Sequence, residues 1–169
     1  QHMNCKALVI LIVTISGLFI YAKNEDHPSI DRVLILGNSI VRHGPKADIG
    51  WTGNWGMAAS SIDSDFVHVL TRKFTAVNPK TVVRFENIAG FERNYSTDSI
   101  EKMSSFREFA PGMIIMKIAE NVNDSTAIEK DFLGHYKKLL DYIDPDKRAI
   151  KIIVDGFMPN SHVNDIVKQ

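Results

Sequence analysis

Cysteine is all but missing from this chain of 169 residues: Cys5 stands alone, so no disulfide can form within it. A charge of one sign is missing too. The 20 basic residues balance the 20 acidic ones, and without a basic surplus nothing favours a nucleic-acid partner. Neither an internal repeat nor a low-complexity tract interrupts the sequence, which points to one domain rather than an array. No His and carboxylate residues fall at metal-ligand spacing. The turn after the first expected strand lacks the run of Ser, Thr and Gly that would cradle a phosphate, and Gly50 to Gly56 does not follow a strand directly. Metal and cofactor are therefore both expected to be absent, and a flavodoxin-like nucleotide-binding domain is disfavoured.

What is present is an ordinary globular composition, 44% hydrophobic and 24% charged, long enough to bury one core. It is preceded by an uncharged apolar run from Ala7 to Ala22, with Lys6 before it and the polar stretch Lys23 to His27 after it. This run exceeds a signal-peptide core of about 7 to 15 residues and falls short of a membrane span of about 20, which leaves cleavage and anchoring both open. The lack of a small residue two positions before Ala22 favours an uncleaved anchor. Residues 1–22 are thus expected to be a signal or membrane anchor, 23–30 a linker and 31–169 the folded domain, placed outside the cytoplasm. A buried first helix is the alternative for the apolar run. Gln1 and His2 precede Met3, the expected natural start. At the other end, Val163, Ile166 and Val167 begin a helical face that stops at Gln169, so the domain is expected to continue further.

Within 31–169, apolar runs alternate with helical spacings. Arg32 to Leu36 ends at Gly37 and has the composition of a strand buried on both faces. Thr81 to Glu86, Met113 to Ile118 and Ala149 to Val154 are the next strands. Between them Ile62, Phe66, Val69, Leu70 and Phe74 predict one helix from Ser61. Ser96-Thr97-Asp98 can cap another through Phe109. Ile128, Phe132, Tyr136, Leu139, Leu140 and Ile143 form the core face of a third. This βαβα order predicts an α/β fold, a parallel sheet covered on both faces and linked by right-handed crossovers.

Ligands of such sheets sit outside the carboxyl ends of the strands. Those ends carry Gly37-Asn38-Ser39-Ile40, Asn87-Ile88-Ala89-Gly90, Ala119-Glu120-Asn121-Val122 and Asp155-Gly156-Phe157. A serine at a strand-to-helix turn can expose its hydroxyl beside backbone N–H donors, as a nucleophile that generates an oxyanion requires. The same position also suits a helix cap.

Taken together, these segments resemble the SGNH, or GDSL-like, family of serine hydrolases. LILGNSIVRHG is similar to the family's first block, which makes Ser39 the implied nucleophile. WTGNWGMAASSIDSDFVHVL is similar to the sequence that follows this block in a branch of bacterial members. FENIAGFERN occupies the place of the second block, with Gly90 as the nearest oxyanion donor, although Glu92 lies where the glycine would be expected. KIAENVND resembles the third block, Gly-x-Asn-Asp, with Ala119 in place of the glycine and Asn121 as the amide donor. The resemblance implies a three-layer sandwich of SGNH-hydrolase, flavodoxin-like, architecture. It also implies a serine esterase cleaving acyl esters, including acetyl esters of a glycan. The family's Asp-x-x-His is expected beyond Gln169. A non-catalytic SGNH-like module, binding glycan while anchored at the membrane, is the alternative.

Other residues carry readings of their own. Asn38 and His43 flank Ser39 and are candidate substrate contacts, with a solvated loop as the alternative for His43. Trp51 and Trp55 can stack on a sugar ring or grip an acyl chain, or simply pack the loop. Asp65 and His68 spell Asp-x-x-His but lie on the first helix, where a surface charge pair is expected. His162 has Pro159 three residues before it, not Asp, and is read as a loop or cap-adjacent histidine.

Overall fold

A computed structural model of the chain describes residues 30–157 and 161–169. The expected N-terminal anchor and nearly all of the linker lie outside these residues. Four strands form one sheet: β1 (Arg32–Gly37), β2 (Val82–Asn87), β3 (Met113–Lys117) and β4 (Ile150–Ile153). All pairings are parallel, in the order β2-β1-β3-β4. The described residues form five α-helices, α1 (Phe66–Val77), α2 (Ala89–Asn94), α3 (Ser104–Glu108), α4 (Phe132–Ile143) and α5 (Ser161–Val167).

The continuous apolar runs are explained by what covers them. In β1, Leu34 and Leu36 enter a core with residues of α2 to α5, whereas Val33 and Ile35 enter a second core with Phe66, Val67, Leu70 and Phe74 of α1. The central β3 divides in the same way, Ile114 and Met116 to one face and Met113 and Ile115 to the other. A strand buried on both faces cannot alternate polar and apolar residues. The expected α/β class with a parallel sheet is the one found. Helices lie on both faces because the step from β1 to β2 runs opposite to the steps from β2 to β3 to β4, and crossovers of one hand then fall on opposite sides.

Three helix expectations need correction. The first helix begins at Phe66, not Ser61: Ile62–Ser64 is a 3-10 turn closed by the Ser61–Ser64 capping box, and Asp65 then caps α1 by accepting from the His68 N–H at 2.7 Å. The segment after Ser96 forms a 3-10 turn over Ile100–Met103 and only then the short α3. The third predicted helix starts at Phe132, because Asp131, in the left-handed region at φ 50, caps it through the Gly134 N–H. Ile128 is thereby left outside the helix and exposed. In α5, Val163, Ile166 and Val167 are buried as their spacing predicts.

Candidate functional site

β1 lies between β2 and β3, and its last residue pairs with the last residue of each: Gly37 opposite Asn87 and opposite Lys117. Three strand ends are thus level where strand order reverses, the place where such sheets open a crevice. Gly37 is required there. A Cβ on it would meet Val41 Cγ2 at 2.3 Å and the Lys117 carbonyl oxygen at 2.5 Å.

The turn that follows is built by Asn38, whose side chain is wholly buried. Its carbonyl accepts from the N–H groups of Val41 and Arg42, and its Oδ1 accepts from Ile40 N–H at 3.1 Å. Its Nδ2 donates to Glu120 Oε2 at 2.6 Å and to Glu92 Oε1 at 3.1 Å. Every polar atom of this side chain faces protein, so Asn38 holds the turn and does not face solvent. A second tie comes from Asn87, which donates to the Arg42 carbonyl at 2.7 Å and accepts from Ala89 N–H at 2.9 Å.

Ser39 is half-buried at the crest of the turn. No helix begins there, since a long loop intervenes before α1, so Ser39 is not a helix cap. Its carbonyl accepts from Met57 N–H. Among the described residues its hydroxyl has no hydrogen-bond partner, and neither its own N–H nor that of Gly90 donates to any group. Gly90 lies exposed in the first turn of α2, with open space where a Cβ would be.

Asn121 is placed differently. Its Nδ2 donates to Glu92 Oε2 at 2.7 Å, and its Oδ1 accepts from Arg93 Nη2 at 2.6 Å. Glu92 itself is fully buried and also accepts from Ala119 N–H at 2.7 Å. This carboxylate, which also accepts from Asn121 N–H at 3.4 Å, therefore joins α2, the Ser39 turn and the loop after β3, four N–H donors around one charge. Sequence reasoning noticed Glu92 only as a misplaced glycine. Its partners lie 27 and 54 residues away, beyond any local pattern.

Glu120 is the second hub. It pairs with Lys117 Nζ, accepts from Phe157 N–H at 3.0 Å and receives the Asn38 amide. Burial pushes its carboxyl upward, but the hydrogen bonds from Lys117, the Phe157 N–H and Asn38 together outweigh that and hold it below the ordinary glutamate value. The Lys117 side chain is 2% exposed, with Nζ 4.7 Å from the centre of the Phe157 ring.

The tryptophan loop lies on the other side of the turn. Trp51 and Trp55 meet edge to face at 5.4 Å, and each donates its indole N–H to a backbone carbonyl, of His43 and Ala59 respectively. Backbone bridges pair His43 with Trp55 and Lys46 with Trp51. His43 Nδ1 is 2.6 Å from the Gly44 carbonyl. These three aromatic residues staple the loop to itself.

Two Asp–His pairs emerge. Asp65 is 1% exposed rather than a surface residue, and His68 Nδ1 lies 2.8 Å from its Oδ1. This corrects the surface-pair reading: Asp65 also accepts from Gly56 N–H, which ties the tryptophan loop to α1. His162 Nδ1 is 3.0 Å from Asp124 Oδ2. The Asp124 carboxyl is held below its ordinary value, first by the Val163 N–H and then, against the effect of burial, by His162. Among the described residues no histidine is hydrogen-bonded to Ser39, and no group of His, Cys, Asp and Glu could hold a metal ion. No described helix is long and apolar enough to cross a membrane.

No family model, no curated protein and no solved structure matches the chain.

Proposed function

We propose that the chain carries a serine esterase site of the SGNH type, acting outside the cytoplasm on an acyl ester such as an acetylated glycan. The observation that carries this reading is the trio of unengaged groups at the switch point: the Ser39 hydroxyl, the Ser39 N–H and the Gly90 N–H. A hydroxyl without a partner, on a turn locked by buried side chains, is organised for attack. Two N–H groups without acceptors are organised for an oxyanion. Ser39 Oγ would attack the carbonyl carbon, the two N–H groups would hold the developing oxyanion, and Asn121 would join them by turning its amide away from Glu92. The hydroxyl proton must pass to a base as the bond forms. None of the described histidines is bonded to Ser39, and the base is assigned to no described residue.

A second reading, a non-catalytic binding module, is favoured by one observation: the Asn121 amide is already engaged by Glu92 and Arg93. The deciding experiment is turnover of p-nitrophenyl acetate by the chain, and by any longer natural product containing it, each beside its Ser39→Ala variant. Activity lost by about a thousandfold or more in the variant supports the esterase. Absence of turnover in every form supports the binding module.

A further inference from the structure

The α1 side of the sheet is covered only in part. On β1, Val33 and Ile35 are wholly buried in the core that α1 closes, whereas on β4 Ile150 and Ile152 are each 41% exposed and Val154 beyond them 37%. Between α1 and β4 lies a cavity of about 430 Å³, walled by Phe66, Leu70 and Phe74 and floored by Ile115 and Ile152. Phe66 and Phe74 are eight residues apart on α1, so the cavity runs along the helix for about 12 Å. Where the strands end, it is lined by Lys117 and by Ile40, the residue that follows Ser39. Ile40 is fixed by the lock that holds the Ser39 turn: its N–H donates to Asn38 Oδ1, and its carbonyl oxygen lies so close to Gly56 that a Cβ there would meet it at 2.1 Å.

The lining decides what kind of ligand. No polar atom reaches the surface of this cavity. Lys117 offers it only the methylene stem, because Nζ is turned to Glu120 and lies 4.7 Å from the centre of the Phe157 ring. A sugar or an anion would give up its hydration there and find no hydrogen-bond partner in return. An aliphatic chain gives up nothing, and its transfer out of water is favourable with every methylene buried. The volume falls within the range of about 300 to 1,000 Å³ typical of small-ligand sites. It is nearly three times the roughly 150 Å³ of an apolar cavity that holds one benzene, so an acetyl group would leave it empty. Because Ile40 both lines the cavity and adjoins the unengaged Ser39 hydroxyl, an ester held at Ser39 has an apolar path for its acyl chain along α1.

We propose that this groove is the acyl-chain subsite of the Ser39 centre and takes an unbranched aliphatic chain of medium length, so that the substrate is a fatty-acyl ester rather than an acetyl ester. Its role in turnover rests on the Ser39 reading, whereas binding of the chain does not. Two measurements on the full chain separate them. The first is titration of the Ser39→Ala variant with sodium octanoate, followed through side-chain methyl shifts, with sodium acetate as the comparison probe. Shifts at Ile40, Leu70 and Ile152 that acetate does not produce are expected, with affinity at least about tenfold weaker when Ile152→Trp or Val154→Arg is added. Both positions are partly exposed, so the fold tolerates the change. The second is kcat/KM for p-nitrophenyl esters from acetate to octanoate, expected to rise about two- to fourfold per methylene in the unmodified chain and to stay flat in Ile152→Trp, which keeps its turnover of the acetate. No octanoate binding, binding that both variants retain, a flat profile in an active chain, or a dimer that Ile152→Trp breaks would each overturn the proposal. A chain that binds octanoate in the groove but turns over no ester would overturn the esterase reading alone.

Discussion

The Ser39 turn has two flanks built on different physics. On one side the tryptophan loop is held by backbone bridges, two indole N–H bonds and a ring-edge contact, all between residues close in sequence. On the other, Glu92 and Glu120 bind the turn, the start of α2 and the loop after β3 through charged hydrogen bonds spanning up to 82 residues. The loop flank is local and half-exposed, so its contacts are separable and each costs little to lose. The carboxylate flank is buried and shared. Removing one group there strands several others, because a buried donor without an acceptor costs more than the bond it made.

Substitutions can break this comparison, and Glu92→Ala should have the largest effect. It leaves the Ala119 N–H and the Asn121 amide without their acceptor and should lower stability by about 3 to 5 kcal/mol in chemical denaturation. A loss below about 1 kcal/mol would mean that the carboxylate is no hub. Asn121→Ala comes next. If the amide serves an oxyanion, kcat should fall by about a hundredfold or more, with a stability loss of only about 1 to 2 kcal/mol. The stability loss without the kinetic one would make Asn121 a strut.

Glu120→Gln sharpens the same comparison through pH. The Glu120 carboxyl titrates below its ordinary value of 4.5 in the folded chain, so the stability it contributes is fully present above that value. It is lost as the pH falls through the depressed folded value. Thermal unfolding should therefore show the variant melting below the parent at pH 7, with the gap narrowing as the pH falls below 4.5. A gap that is constant with pH would remove the ion pair with Lys117 from the account. The smallest effect belongs to the other flank. Trp51→Ala gives up an edge contact and one bond to a carbonyl, and should cost about 1 to 2 kcal/mol in the same denaturation measurement. A loss as large as that of Glu92→Ala would erase the distinction between the flanks.

Much of the fold was legible in the residues. Four apolar runs separated by helical spacings lead to a parallel sheet, since strands buried on both faces need continuous apolar residues. The strand ends then locate Ser39, Gly90 and Asn121 at one edge. Helix starts were less legible. The Asp65 and Asp131 caps and the Ser61–Ser64 box displaced them by several residues, and Ile128, which fits the spacing of the helix that follows, ended up exposed. The side-chain roles were least legible. Asn38 resembled a substrate contact and is a buried tie. Glu92 resembled a mismatch and binds three segments. Asp65 resembled a surface acid and is a buried cap.

The sequence by itself determined the class of fold and the edge of the sheet where chemistry would gather, because both follow from local periodicity and from where strands end. Only the tertiary structure decided which polar groups are engaged and which are left open. A hydrogen bond depends on two atoms meeting within about 3 Å, and here the partners that meet, Asn38 with Glu92 and Glu120, are brought together only when three parallel strands end side by side.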